Sequence, residues 1–570
     1  MNLKRIGPSS NGKTRVFGTC NQGSIPCGPA IECTTPFHLV GGRFFLAKFL
    51  VIKQTAPPCF LLPLVEVILN ISRKLCAYLS CRAQISFVWV MMIRHCVYSR
   101  KETMTTTAIV LAAGEGTRMK SSHPKVMHEI LGHPLVWWSV RSAKASGAQN
   151  IIVVVGNGAH EVRGLFQDDP DVICIEQTER LGTGHAVMSC LDQVEIEDGC
   201  CVVLNGDSPL VRAQTITALV DKVQTEAMDA CVLTMTPPSV SGYGRIQTDE
   251  AGHVLAIIED KDCTPLQRQS LLECNSGVYA FNSKALKANI SKITCNNAQG
   301  EYYLTDMISI LRGENGRVAH VHVDDFQELL GVNSRPQLAQ AAKIMQLRIN
   351  EELMSQGVTM IDPNLVWADV DVQVGRDTII WPMSFLMGKT RIGTQCSIGP
   401  NSRLTDTTVA NKCIIDETIA ISAIIEDEAS CGPRAYLRPG THLMRGSKAG
   451  THVEIKNSCI GEGSKVPHLS YIGDTTMGRG VNIGAGSITC NYDGTNKHHT
   501  TIGDNVFIGS DTMMVAPVTI GNGALVGASS CITKDVPADA LGLERSEQQI
   551  VQGYAAKRRD RLASGKGNND

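Results

Sequence analysis

Residues 501–533 read TIGDNVFIGSDTMMVAPVTIGNGALVGASSCIT, and an apolar residue returns at every sixth position: Ile502, Ile508, Met514, Ile520, Val526 and Ile532. Glycine follows directly at 503, 509, 521 and 527. A six-residue period is the signature of a parallel β-helix, whose three-sided coils turn one corner per hexad and stack their apolar residues inward. The same Ile-Gly or Met-Gly step recurs upstream at Ile392, Ile398, Ile460, Ile472, Met477 and Ile483, with register breaks between. An ordinary sandwich with glycine turns would not hold that period over so many turns. Residues 357–550 are therefore expected to form a solenoid.

Immediately upstream, Leu338, Ala341, Ala342, Met345, Ile349 and Leu353 recur at helical spacing. Ser334 is placed to cap this helix, Pro336 suits its first turn, and Gly357 ends it, so 336–356 reads as a connecting helix. Before it the texture is α/β: Ala108–Leu111, Ile151–Val155 and Val202–Leu204 read as buried strands, separated by helical patterns such as Pro134–Ser146. Short apolar strands alternating with helices imply a mostly parallel sheet, with chemistry at the strands' carboxyl ends. A domain over 104–335 follows.

The chain has 570 residues, 53 Lys and Arg against 55 Asp and Glu, and a net charge of −2, which gives no footprint for nucleic acid. The basic run Lys557, Arg558, Arg559 and Arg561 reads as part of a disordered, flexible tail over 551–570. Its 21 cysteines are scattered without CxxC or CxxH spacing, which points to reduced thiols in the cytoplasm, and the adjacent Cys200 and Cys201 are poorly placed to bond to each other. Residues 1–103 differ from the rest: apolar stretches such as Phe60–Ile71 and Phe87–Ile93 show no assignable periodicity, reach no membrane-span length, and lack a secretory signal's order. Two readings stand: a translation start misassigned ahead of Met104, or a peripheral, disordered extension.

Two clusters of residues carry chemistry. Leu111–Met119 reads LAAGEGTRM directly after a strand, with Lys125 close behind. Gly114 and Gly116 let backbone N–H groups close on a phosphate chain, while Arg118 and Lys125 can neutralise charge. It is neither a P-loop nor a dinucleotide fingerprint. Asp207 in NGDSPL follows an apolar strand, where a metal-binding carboxylate belongs, although a turn or helix cap is equally open. In the solenoid, polar residues crowd one irregular stretch: Arg438 in LRPG, Lys456 in VEIKNS, His468 and Tyr471 in PHLSYIGD, then Asn482, Ala485, Asn491 and Tyr492 in VNIGAGSITCNYDG. A neutral imidazole is suited to take a proton from an attacking amine near pH 7.

On these motifs residues 104–550 resemble the sugar-phosphate nucleotidyltransferases, specifically the bifunctional N-acetylglucosamine-1-phosphate uridylyltransferase/glucosamine-1-phosphate acetyltransferase family. The resemblance implies a Rossmann-like nucleotidyltransferase domain, a connecting helix and a left-handed β-helix of hexapeptide repeats. It implies UTP binding by Leu111, Ala112, Ala113, Gly114 and Lys125, with Gln177, Gly182 and Thr183 of QTERLGTGHA at the uracil. Gly244, Glu259, Asn275 and Asn333 would line the sugar-phosphate side, and Asp207 with Asn333 would hold Mg²⁺. Asn205 stands where some members carry Tyr. In the other site the resemblance makes His468 the general base and Asn491 an orienting group. Arg438, Lys456, Tyr471 and Asn482 would bind glucosamine 1-phosphate. Ala485, Asn491, Tyr492, Ser510, Ala528, Lys534 and Arg545 would contact acetyl-CoA between the solenoids of a homotrimer, with Lys534 where the family can carry Arg. Cys490 adjoins Asn491, yet direct transfer is simpler than an acyl-enzyme. The implied product is UDP-N-acetylglucosamine for bacterial cell-wall and lipopolysaccharide precursors, without membrane or nucleic-acid partners. A uridylyltransferase whose solenoid serves only assembly is the alternative; the joint presence of Lys456, His468 and Asn491 speaks against it.

Overall fold

The three apolar runs are strands, Thr105–Ala112, Asn150–Val155 and Gly199–Asn205, side by side in one sheet with Thr105–Ala112 in the middle. The computed structural model describes residues 104–564 apart from Glu115, Asn157, Ala251 and Ala298. The readings made on residues 1–103, including the start at Met104, and the last six residues of the tail lie outside the described residues.

Across the sheet the order is Val318–Val323, Ala230–Met235, Cys274–Asn282, Gly199–Asn205, Thr105–Ala112, Asn150–Val155 and Val172–Glu176. Cys274–Asn282 runs antiparallel to both neighbours, and the other adjacent pairs are parallel, so the mostly parallel expectation holds. A hairpin of Arg245–Thr248 and Val254–Ile258 hangs from the antiparallel strand. Helices cover both faces, which is why the inner strands Asn150–Val155 and Gly199–Asn205 are buried runs rather than alternating. Cys200 and Cys201 show this directly: both are buried and unpaired, and they pack into separate apolar clusters because successive side chains of a strand point to opposite faces.

The connecting helix spans Arg335–Ser355 and buries Ala341, Met345, Ile349 and Leu353 in the same cluster as Trp138 and the first solenoid coils. Ser334 occupies the capping position but does not cap as expected. Its hydroxyl donates to Gln337 Oε1 at 3.1 Å, and that oxygen instead takes the Asn333 N–H at 2.9 Å. Buried Gln346 and Asn350 dock the helix by donating to the backbone oxygens of Asn364 at 3.1 Å and Val366 at 2.9 Å. A second link is His133 Nε2, which bonds Asp371 of the first coil at 2.7 Å while its ring stacks on Trp137.

Beyond Gly357 the described chain forms three parallel sheets of eleven, ten and nine short strands, the faces of a left-handed parallel β-helix. Each of the six hexad residues from Ile502 to Ile532 is at most 5% exposed. The loop between Cys490 and Thr500 interrupts the hexads and accounts for one register break. The expectation of a disordered tail over 551–570 needs correction: Tyr554–Ala563 is a helix that buries none of its residues. Its Ala, Lys, Arg and Leu are strong helix formers, and intrinsic propensity outweighed the tail's polarity.

Candidate functional site

The phosphate-binding motif leaves the carboxyl end of Thr105–Ala112, where a parallel sheet opens a crevice. Ala112 is buried in the strand end, so only its backbone is free to serve the site. At Gly116 φ is +63°, and a Cβ would overlap the Lys125 side chain, so both backbone and space require glycine. Lys125 is thereby held against the loop. Its ammonium pairs with the Asp207 carboxylate and donates to Asn333 Oδ1 at 2.9 Å. The Val332 N–H, bonded to the Asp207 carbonyl at 2.8 Å, draws the Asn333 segment to the strand end. Two hard oxygens thus converge on one cation, the donor chemistry that suits Mg²⁺, an ion that keeps waters and takes substrate phosphates as further ligands. Leu111, Ala113, Gly114, Lys125, Gln177 and Asp207 line a cavity of about 520 Å³ here. Arg118 lies apart from that lining, exposed on the turn Thr117–Met119.

At the cavity's far side buried Gln177 donates through Nε2 to the Gly182 carbonyl at 3.2 Å and meets His185 Nδ1 at 3.0 Å. Gly182 has φ +104°, and a Cβ there would stand 2.6 Å from the Tyr302 carbonyl. Tyr302 itself straps this turn: its N–H bonds Leu181 and its carbonyl takes the Gly184 N–H, each at 2.7 Å. Thr183 Oγ1 accepts the Leu304 N–H at 3.2 Å. The sequence reading assigned nothing to Tyr302, because its contribution is backbone and carries no side-chain signature.

A second cavity of about 440 Å³ shares Leu111, Thr183, Asn205 and Glu301 with the first. Glu259 and Asn275 line it, while the Gly244 carbonyl takes the Asn275 N–H at 2.8 Å. Burial raises the Glu259 carboxyl above its ordinary range, and Asp262, Asp306 and Asp260 push the same way against a 3.4 Å bond from Thr305. Beneath them Asn275 Nδ2 meets Tyr279 Oη at 2.7 Å, and burial pushes that phenol well up. Asn205 donates to the Gly277 carbonyl at 3.3 Å, so it forms wall between the cavities.

The solenoid cluster centres on a residue the sequence reading left unassigned, Asp474. Its carboxylate accepts from Asn457 Nδ2 at 2.7 Å and from Asn491 Nδ2, and Lys456 Nζ lies 3.8 Å away. Burial pushes the Asp474 carboxyl up, but the two amides, Lys456 and Lys497 hold it below its ordinary range. Lys497 in turn sits beside Lys456 and lowers its ammonium. Tyr471 Oη and Asn491 Nδ2 both lie over Gly473, where a Cβ would come within 2.8 Å of the amide. Arg438 bonds Glu454 at 2.9 Å. His468 is exposed and Asn482 half-buried on the adjoining face, neither with a side-chain bond among the described residues. Tyr492 is exposed, its hydroxyl donating to the Gly494 carbonyl at 2.6 Å.

Three of the residues implied for the coenzyme form a column up one corner. The Ala485 carbonyl takes the Asp511 N–H at 2.7 Å, and the Ser510 carbonyl takes the Ser529 N–H at 2.8 Å. Gly484 and Gly509 pack directly against Ser510 and Ala528, which only residues without Cβ allow. Arg545 folds back onto the Ala528 carbonyl at 3.3 Å, and Lys534 stands exposed nearby in sequence without a described side-chain bond.

Known proteins match both parts of the chain. The MobA-like NTP transferase domain matches residues 108–273, and the six-repeat bacterial transferase hexapeptide family matches residues 499–534. Whole relatives align with both halves. A protein of Heliobacterium modesticaldum is 48% identical over 79% of this chain and 98% of its own length. One of Trichlorobacter lovleyi is 44% identical over 80% of this chain and 99% of its own, and one of Streptomyces avermitilis 46% over 80% and 95%. All three carry the name Bifunctional protein GlmU.

Proposed function

Since the chain belongs to the bifunctional GlmU family, an enzyme that joins a nucleotidyltransferase to a hexapeptide-repeat acetyltransferase in the synthesis of UDP-N-acetylglucosamine, we propose that its solenoid site acts first and its α/β site second. The product feeds bacterial cell-wall and lipopolysaccharide synthesis. In the first step acetyl passes from acetyl-CoA to the amine of glucosamine 1-phosphate. His468 takes the amine proton, Asn491 orients the reacting groups, and Lys456 with Arg438 holds the sugar phosphate beside Tyr471 and Asn482. The acyl donor lies along the column of Ala485, Ser510 and Ala528, toward Tyr492, Lys534 and Arg545.

In the second step the phosphate oxygen of N-acetylglucosamine 1-phosphate attacks the α-phosphate of UTP in line and releases pyrophosphate. No protein nucleophile is required, so positioning and charge neutralisation supply the rate. Leu111 to Gly114 present backbone N–H groups to the phosphates, Lys125 and Arg118 supply positive charge, and Gln177, Gly182 and Thr183 hold the base. Gly244, Glu259 and Asn275 line the sugar. Asp207 and Asn333 would hold Mg²⁺, which screens the phosphates and stabilises the leaving pyrophosphate.

The observation that carries this reading is the convergence of Lys125, Asp207 and Asn333 in one domain and of Lys456, Asp474 and Asn491 in the other. We further infer a homotrimer, in which a neighbouring solenoid closes the open coenzyme column, working in the cytoplasm on UTP and acetyl-CoA. No described helix is long and apolar enough to cross a membrane. The test is to supply the full chain with glucosamine 1-phosphate, acetyl-CoA, UTP and Mg²⁺ and look for UDP-N-acetylglucosamine. Formation only from ready-made N-acetylglucosamine 1-phosphate would remove the first step from the proposal.

A further inference from the structure

Asn457, Asp474 and Asn491 are spaced 17 residues apart, one coil each, and stack at the same corner of the solenoid. The central member is a carboxylate, 9% exposed, with backbone φ +47° and both backbone groups engaged: its N–H bonds the Lys456 carbonyl at 3.0 Å, and its carbonyl takes the Thr500 N–H at 3.1 Å. An ionised carboxylate can only accept hydrogen bonds. Each flanking amide must therefore turn its nitrogen toward Asp474 and its oxygen away. On one side this is already visible, because Asn457 Oδ1 lies against Gly440 of the coil before. On the other, Asn491 Oδ1 accepts no bond among the described residues, while its Nδ2, bonded to Asp474, lies with the Tyr471 hydroxyl over Gly473.

We propose that Asp474 is the positioning residue of acetyl transfer: it locks the Asn491 amide with Oδ1 turned to the reacting amine, and it holds Lys456 at the sugar phosphate. The inference rests on the acetyltransferase reading above. An acceptor at Asn491 Oδ1 draws one amine N–H and so directs the nitrogen lone pair at the thioester; a flipped amide would offer a donor to that lone pair and oppose attack. A neutral Asn at 474 keeps the size and the stacking but accepts either face of its neighbour, so the lock is lost while the ladder persists.

Steady-state acetyl transfer by the full-length protein tests this in Asp474→Asn, Asn457→Ala, Asn491→Ala and the double variant of 474 and 491. The expected result is a kcat about 10- to 100-fold lower in Asp474→Asn, the usual weight of a charge-assisted hydrogen bond, with KM for acetyl-CoA unchanged. Asn457→Ala, which strips the other carboxylate oxygen, lowers kcat by less. In the Asn491→Ala background the change at 474 costs little further kcat, since the amide it locks is gone, and its hold on Lys456 shows only in KM for glucosamine 1-phosphate. Wild-type kcat in Asp474→Asn, an equal loss in Asn457→Ala, or a full additional loss in the double variant would each overturn the proposal. Uridylyl transfer and the thermal midpoint, measured on the same preparations, report folding; a loss of both along with acetyl transfer makes Asp474 structural and also overturns it. A wild-type chain inert toward glucosamine 1-phosphate and acetyl-CoA refutes instead the acetyltransferase reading.

Discussion

Lys125 and Asp207, 82 positions apart, form a partly buried ion pair, and Asn333 shares the same ammonium at 2.9 Å. None of the three touches the solenoid cluster, so the two reactions are separable. In Asp207→Ala uridylyl transfer should collapse, because the carboxylate that would hold Mg²⁺ is gone and Lys125 loses its anchor, while acetyl transfer persists even in chelator. His468→Ala should do the reverse, losing about 10²- to 10⁴-fold in acetyl transfer, the usual share of a positioned base. Each half-reaction is assayed alone, with circular dichroism as the folding control. Equal loss of both activities in either folded variant would refute two independent sites.

Glu259 links pH, stability and sugar binding. Its folded-state pKa is raised above the ordinary 4.5, chiefly by burial, so folding favours the protonated form. Ionised Glu259 therefore costs stability at every pH above that raised value, and the cost disappears as pH falls below the unfolded value. Glu259→Gln removes the charge but keeps an acceptor for Thr305. Its melting temperature should exceed wild type near about pH 7, and the gain should shrink toward about pH 4. KM for N-acetylglucosamine 1-phosphate should rise. A variant less stable than wild type at neutral pH would contradict the burial argument.

Which parts of this were legible in the sequence follows from distance along the chain. The hexads were, since Ile502 to Ile532 mark a period whose only physical use is an inward column, and so were the loop glycines, whose neighbours are local. Lys125 and Asn333 were each readable as site residues, but their direct bond spans 208 positions and depends on the strand order. Asp474 ended a motif already singled out, yet its role is set by partners one coil away on either side, 17 positions from it in each direction. The tail misled because a polar composition specifies solvent exposure and not conformation, and the helix at Tyr554–Ala563 is exposed.

Deleting residues 1–103 should leave both activities intact. Every residue placed in either site falls between Leu111 and Arg545, and the first strand of the sheet begins at Thr105. Matched kcat and KM values for both half-reactions in the full and truncated chains are the expected result. Loss of either activity, or of cooperative unfolding, would assign the segment a role that its sequence does not announce.

The last expectation concerns assembly, and it comes from which solenoid faces are apolar outside. On the face that carries Ile379–Ile380, the outward residues include Ile379, Ile414, Phe507, Leu525 and Leu541, each at least 37% exposed. The face beside it adds Phe385, Met387, Tyr436 and Val515. The third face presents Gln373, Arg391, Thr408, His442 and Thr519, with Ile424 its one large apolar exception among the described residues. Apolar rows of that extent on two adjoining faces are characteristic of a buried interface, and a closed ring of three solenoids uses two faces of each. Ile414→Glu places a charge in such an interface, whereas Ile424→Glu places the same charge at a similarly exposed site on the polar face. Light scattering should show a trimer for wild type and Ile424→Glu but smaller species for Ile414→Glu. Acetyl transfer should fall with the trimer while uridylyl transfer continues, because only the coenzyme column is completed by a neighbour. A fully active monomer, or equal effects of the two substitutions, would show that these faces do not build the assembly.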